Sequence, residues 1–132
     1  MIIIDGKDAV LGRLASLAAK EALKGEEVSV VNCEHIIITG NKQNIKERLE
    51  HRKRKIGSKQ AGPKYSVSTI KFVKRTIRGM LPDPRHGGRG RDAFKRIKCY
   101  SGIPKEFENS KTEKINSGEK WKFTTVKEIA KK

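Results

Sequence analysis

Aromatic residues make up only 5% of this chain, cysteine occurs twice, and no apolar run exceeds a few residues. Each scarcity removes a class of protein. A bilayer-spanning helix needs about 20 consecutive apolar residues, so none is expected. The N-terminal "MIIIDGKDAV" sets Asp5 directly after three isoleucines, without a basic n-region or a long apolar stretch, and does not read as a secretory signal. The expected location is therefore the cytoplasm. Cys33 and Cys99 belong to no CxxC or Cys/His cluster with zinc-ligand spacing, and His35, His51 and His86 are scattered. Reduced, buried thiols and no metal site are expected.

Catalytic signatures are scarce too. There is no GxSxG, no HExxH, and no Ser or Cys with an evident base. Asp5 and Asp8 are explained by a strand end and a turn. Gly88 to Ala93 formally fits G-x-G-x-x-A, but that fingerprint follows a strand, whereas here a helical pattern, Pro82 and Pro84 precede it. Arg89 and Arg91 also stand where the backbone would have to hug a pyrophosphate. The strand–turn–helix "IIIDGKDAVLGRLAS" lacks GxxxxGK[ST]. No catalytic residue, cofactor or small-molecule substrate is expected.

What the chain has is positive charge. Its 31 Lys and Arg against 15 Asp and Glu give +16 over 132 residues. From Lys42 to Lys98 there are 19 basic and 4 acidic residues, while the flanks hold 12 and 11. A uniformly lysine-rich surface would spread the excess; here one segment carries nearly all of it, as a polyanion-binding surface requires.

Length and a 35% apolar content fit one domain over residues 1–132 with a modest core and basic appendages. "MIIID" and "EVSVVNC" read as strands, and "HIIIT" as a third, apolar throughout like strands covered on both faces. Leu11, Leu14, Ala15, Ala18 and Ala22 recur at helical spacing and Gly25 stops that helix. Strands alternating with helices imply parallel pairing. From Asn41 a helix runs through "NKQNIKERLEHRKRK", its later turns almost wholly basic. "IGSKQAGPKYSVS" reads as an extended loop. In "TIKFVKRTIRGML", capped by Ser68 or Thr69, winding at about 100° per residue puts Ile70, Val73, Ile77, Met80 and Leu81 on one side. Lys71, Lys74, Arg75 and Arg78 fall together on the next, and Phe72, off the apolar stripe, either packs under a loop or stacks on a base. A short helix bearing Phe94 and Ile97 leads into a strand near Lys98–Tyr100. Residues 105–120 are polar and irregular, Trp121 and Phe123 return to the core, and Thr125 to Glu128 form a capping box.

These patterns give the candidate RNA-binding residues. The first basic helix supplies Lys42, Arg48, Arg52, Arg54 and Lys55, and the second Lys71, Lys74, Arg75 and Arg78. The Gly-rich loop offers Arg85, Arg89 and Arg91, with Gly87, Gly88 and Gly90 letting the chain approach a nucleic-acid backbone; Arg96 and Lys98 follow. No helix-turn-helix pair or finger points to a DNA groove. With few aromatics as platforms, shape and phosphate contact in folded RNA are favoured over single-strand reading. A nucleotide-using enzyme and a DNA-compacting protein are the competing classes.

Three stretches, "DGKDAVLGRLAS" (5–16), "NCEHIIITGNK" (32–42) and "RGMLPDPRHGGRGRDAFKRIKCYSGIP" (78–104), resemble the universal large-subunit ribosomal protein L-thirteen family in its archaeal form. The resemblance covers most of residues 2–104. It implies a three-layer α/β/α domain around a four-stranded parallel sheet, bound to large-subunit ribosomal RNA beside neighbouring ribosomal proteins and supporting subunit assembly. Its motif positions are Thr39, Gly40, Asn41 and Lys42, then Arg78, Gly79, Met80, Leu81 and Pro82, then Lys98, Tyr100 and Gly102. The segment after Pro82 varies in the family, so Arg85, Arg89 and Arg91 rest on charge.

Overall fold

β-Branched runs too short to span anything but a small sheet set the centre of the computed structural model, which describes residues 1–55, 68–83, 87–115, 118 and 122–130. Along the chain come β1 (Ile2–Asp5), α1 (Leu11–Lys24), β2 (Val28–Val31), a 3-10 turn (Cys33–His35) and β3 (Ile37–Thr39). They are followed by α2 (Lys42–Arg54), α3 (Thr69–Gly79), α4 (Arg89–Arg96) and β4 (Ile97–Cys99). A second 3-10 turn (Lys105–Phe107), β5 (Glu113–Lys114), β6 (Phe123–Thr125) and α5 (Val126–Ile129) complete the order.

The main sheet is four-stranded and all parallel, in the order β4-β2-β1-β5. With helices packed against it, it agrees with the expected three-layer α/β/α class. The register Ile2↔Val28 to Asp5↔Val31 places Ile4, Val28 and Val30 on one face, in a cluster with Leu14 and Ala18 of α1, Val73 and Ile77 of α3 and Ala93 of α4. Small Ala residues at the helical spacing of α1 let α3 and α4 close on it. Gly25 ends α1 in the left-handed region, φ 108°, as expected. On the opposite face Ile3 and Val31 meet Phe107, and Tyr100 packs edge-on to Phe107 at 5.7 Å. Asp5 is nearly buried at the end of β1, where its Oδ1 accepts from the Lys7 N–H at 3.0 Å and the Asn32 side chain at 2.9 Å. That carboxylate closes a turn.

Two strand assignments differ from the sequence reading. β3, expected in the parallel sheet, pairs antiparallel with β6 instead, Ile38 opposite Thr124. The fourth strand of the main sheet is β5, two exposed polar residues inside the stretch expected to be irregular. β4 begins one residue earlier than the expected strand, at Ile97. Phe123, expected in the core, is 51% exposed, because Thr124, its neighbour on the opposite face of β6, is the one that turns inward. Trp121 lies outside the described residues. At α5 the Thr125 hydroxyl donates to the Glu128 carboxylate at 3.4 Å and does not cap the backbone, so a side-chain pair stands in place of the expected capping box. No described helix is long and apolar enough to cross a membrane.

The glycine-rich loop is held at both ends. Gly87 and Gly88 have φ of 86° and 76°, a turn that residues with a Cβ adopt only under strain. Gly90 faces inward rather than toward a ligand: a Cβ there would stand 2.1 Å from the Pro82 carbonyl oxygen. The expectation that all three glycines serve approach to a nucleic acid is thus corrected for Gly90, which serves approach of the chain to itself. Gly90→Ala should cost about 1–3 kcal/mol or more by overpacking. Thermal or urea unfolding would show this as a lowered midpoint; an unchanged midpoint would mean that Pro82 does not press on α4.

Candidate nucleic-acid interface

Helix α3 divides its residues by angle. Val73 and Ile77 are fully buried, Ile70 is half-buried, and Leu81 just past the helix is buried. Met80, expected on that stripe, is instead 41% exposed: α3 ends at Gly79, and the chain tightens there into i→i−3 bonds, Met80 N–H to Ile77 and Leu81 N–H to Arg78, which shift it off the α-helical angle. Lys71 and Arg78 are exposed and Lys74 and Arg75 half-buried. Spaced by three and four residues, these four cations sit one above another along the helix. They line one cleft of about 190 Å³ with Phe94 of α4. The Lys74 ammonium lies 5.1 Å from the centroid of the Phe94 ring. Phe72 is half-buried against the core, which favours packing over base stacking.

The two cysteines are both free, Cys33 buried and Cys99 half-buried. Cys99 is therefore less enclosed than expected. A hydrogen bond with Cys33 and the nearby Lys74 ammonium lower the Cys99 thiol, against the opposing effect of burial. The same thiol contact, with burial, raises Cys33. Among the described residues no three His, Cys, Asp or Glu side chains form a group that could hold a metal ion.

Helix α2 buries no residue completely; Ile45 and Leu49 are half-buried, while Arg48, Arg52, Arg54 and Lys55 are exposed. The helix starts where the sequence implies, with Asn41 Oδ1 accepting from the Gln43 N–H at 3.1 Å and Gly40 at φ 129° before it. Lys42 forms an ion pair with Glu128 of α5. Its hydrogen bond first, and then its charge, the Thr125 hydroxyl and Lys46, hold the Glu128 carboxyl below the usual range against the opposing effect of desolvation. The pairing of β6 with β3 brings Lys122 and Phe123 beside Gly40, Asn41 and Lys42, around a recess of about 330 Å³. No local pattern in the sequence joins those two groups, 80 residues apart. The Arg54–Glu50 pair, 3.8 Å apart and exposed, contributes little.

The remaining candidates divide by position. Arg89 and Arg91 stand in α4 rather than in the loop, because the helix begins directly after Gly88. Arg89 donates to the Leu23 carbonyl at 3.3 Å and Arg96 to the Ala22 carbonyl at 3.4 Å, placing two guanidinium groups at the carbonyl end of α1. Arg91 and Lys98 are exposed. Arg85 lies outside the described residues, as does most of the extended basic loop at 56–67.

Comparison with known proteins matches residues 1–106 to the family model described as Ribosomal protein L13. The large ribosomal subunit protein uL13 of Methanocaldococcus jannaschii is 41% identical over 136 residues, covering 99% of this chain and 96% of the relative. The proteins of the same name from Methanococcus maripaludis and Methanococcoides burtonii are 47% and 38% identical, over 79% and 98% of this chain and 77% and 91% of theirs.

Neighbouring residues of α3 should separate packing from binding. Ile77→Ala should destabilise by about 2–5 kcal/mol, whereas Arg78→Glu should weaken RNA binding while thermal stability stays near that of the parent; an equal loss of both in Arg78→Glu would place Arg78 in the core. The Lys42–Glu128 pair makes a second prediction. Because the folded Glu128 value is depressed, its ionised, paired form persists above the ordinary Glu range and is lost only as pH falls through the lower folded value. An NMR titration should show Glu128 below the ordinary Glu range, and Lys42→Met should return it upward; no change on that substitution would dissolve the pair.

Proposed function

The chain belongs to the ribosomal protein L13 family, and from this premise we propose that it is a structural constituent of the large ribosomal subunit that binds large-subunit ribosomal RNA and supports subunit assembly. It acts as part of a ribonucleoprotein in translation and is not an enzyme. The observation that carries the RNA-binding reading is the cationic cleft beside the buried stripe of α3. Among the described residues Lys71, Lys74 and Arg78 form no ion pair, so their charge is available to phosphate. Arginine forks and lysine ammonium groups neutralise phosphates and release counterions. The exposed cations of α2 offer further positive charge, and Arg91 and Lys98, also exposed, are further candidate contacts. Arg89 and Arg96 hold α1 and reach RNA with whichever N–H groups the carbonyls leave over.

The whole chain then works as one RNA-binding α/β domain, in the cytoplasm with the ribosome. Its partners are ribosomal RNA and neighbouring large-subunit proteins. The rigid part of the binding surface is built on helices, so binding positions RNA segments relative to the sheet instead of reading base sequence. The protein should prefer transcribed large-subunit ribosomal RNA to duplex DNA in competition at about 0.15 M salt, where screening suppresses weak non-specific contacts. Equal affinity for the two would favour a DNA-compacting protein, and saturable binding of a mononucleotide that persists at high salt would favour an enzyme.

A further inference from the structure

Phosphate neutralisation alone leaves one feature of the α3–α4 cleft unused: its aromatic wall. Phe94 is half-buried, partly packed against the core and partly lining the cleft with Lys71, Lys74, Arg75 and Arg78. The group resting over its ring is the Lys74 ammonium, 5.1 Å from the centroid. A cation on a flexible four-carbon stem is an exchangeable cover, because a phosphate attracts it far more strongly than a ring does. When the ammonium leaves, a flat apolar face is exposed within a ring of positive charge.

We propose that this cleft holds one unpaired nucleotide of RNA, its base stacked on Phe94, its flanking phosphates met by Lys71, Arg75 and Arg78, and Lys74 leaving the ring to join them. This deepens, and rests on, the reading of the chain as an RNA-binding protein. The choice of occupant follows from using both halves of the site. A regular RNA duplex offers phosphates to the cations, but its bases are stacked on one another and leave the ring without a partner. An acidic peptide neutralises the charge yet brings no flat surface to the ring. An unpaired nucleotide brings a π-face and phosphates a few ångströms apart, the combination that aromatic and basic single-strand sites exploit. The other aromatic beside lysines, Phe123 near Lys42 and Lys122, is a weaker candidate because Lys42 is already paired with Glu128.

The test uses the full chain, transcribed archaeal large-subunit ribosomal RNA as the probe, and two kinds of substitution. Phe94→Leu keeps an apolar side chain against the core and removes the ring; it should weaken binding by about 5- to 150-fold, the loss expected for one base–aromatic stack. It should leave the slope of log affinity against log salt unchanged, and Phe94→Tyr should restore the affinity. Lys71→Gln should instead reduce the magnitude of that slope by about 0.7–0.9, one phosphate contact. If Phe94→Leu binds as tightly as the parent while Lys71→Gln weakens and flattens the salt dependence, the nucleotide site is overturned and RNA binding by the cations stands. Loss of affinity in proportion to loss of thermal stability, with no restoration by Phe94→Tyr, would make Phe94 a packing residue and overturn the proposal. Unchanged RNA affinity with poorer retention on large subunits would put a protein against the ring and overturn it too. A parent protein with no preference for ribosomal RNA would remove both this site and the reading beneath it.

Discussion

The burial of Val73 and Ile77 against α1 and the sheet is the contact on which the basic side of the molecule depends. Four cations spaced three and four residues apart on α3 repel one another by a few tenths of a kcal/mol per pair in water. Full burial of a Val or Ile side chain contributes about 1.5–3 kcal/mol. Two such residues therefore outweigh the repulsion along the helix, and among the described residues Lys71, Lys74 and Arg78 are held in place without an acidic partner. Charge left uncompensated in this way is the physical basis for attracting a polyanion. An ion pair at each of these three would stabilise α3 and abolish their use.

The loop and helix that follow add shape to that charge. The close approach of Gly90 to the Pro82 carbonyl draws the start of α4 back toward the end of α3, and this brings Phe94 to the cationic face. Arg89 and Arg96 reach across to the carbonyl end of α1, so two of the cations in the basic segment help to fasten α4. A basic segment thus contains cations of two kinds, those that fasten one helix to another and those facing solvent. Charge counting alone does not distinguish them. Lys42 shows the same division at the start of α2, where its partner is Glu128 of α5.

Much of this arrangement was legible from residue spacing. The split of α3 into apolar and basic faces follows from its periodicity, and Asn41, through its side-chain oxygen, and Gly25, through its left-handed backbone, mark helix ends. The parallel strands β1 and β2 are apolar enough to announce themselves. Other features depend on partners far along the chain. β3 is apolar, and apolarity does not state whether its neighbour runs parallel or antiparallel; the neighbour is β6, more than 80 residues on. β5 consists of one Glu and one Lys at a sheet edge, where side chains face water and leave no hydrophobic trace. The cleft itself was half legible: its four cations were grouped by helical angle, but Phe94 joins them through tertiary packing, Gly90 against Pro82 and α4 on α1.

The central claim is that the cationic face of α3 lies against RNA in the assembled large subunit. Acetylation footprinting tests it directly, by comparing the reactivity of each lysine in the free protein and in isolated large subunits. Lys71 and Lys74 should lose most of their reactivity on assembly, and digestion of the RNA should restore it. If both lysines remain as reactive in the subunit as in the free protein, the face is open to solvent and the account is wrong.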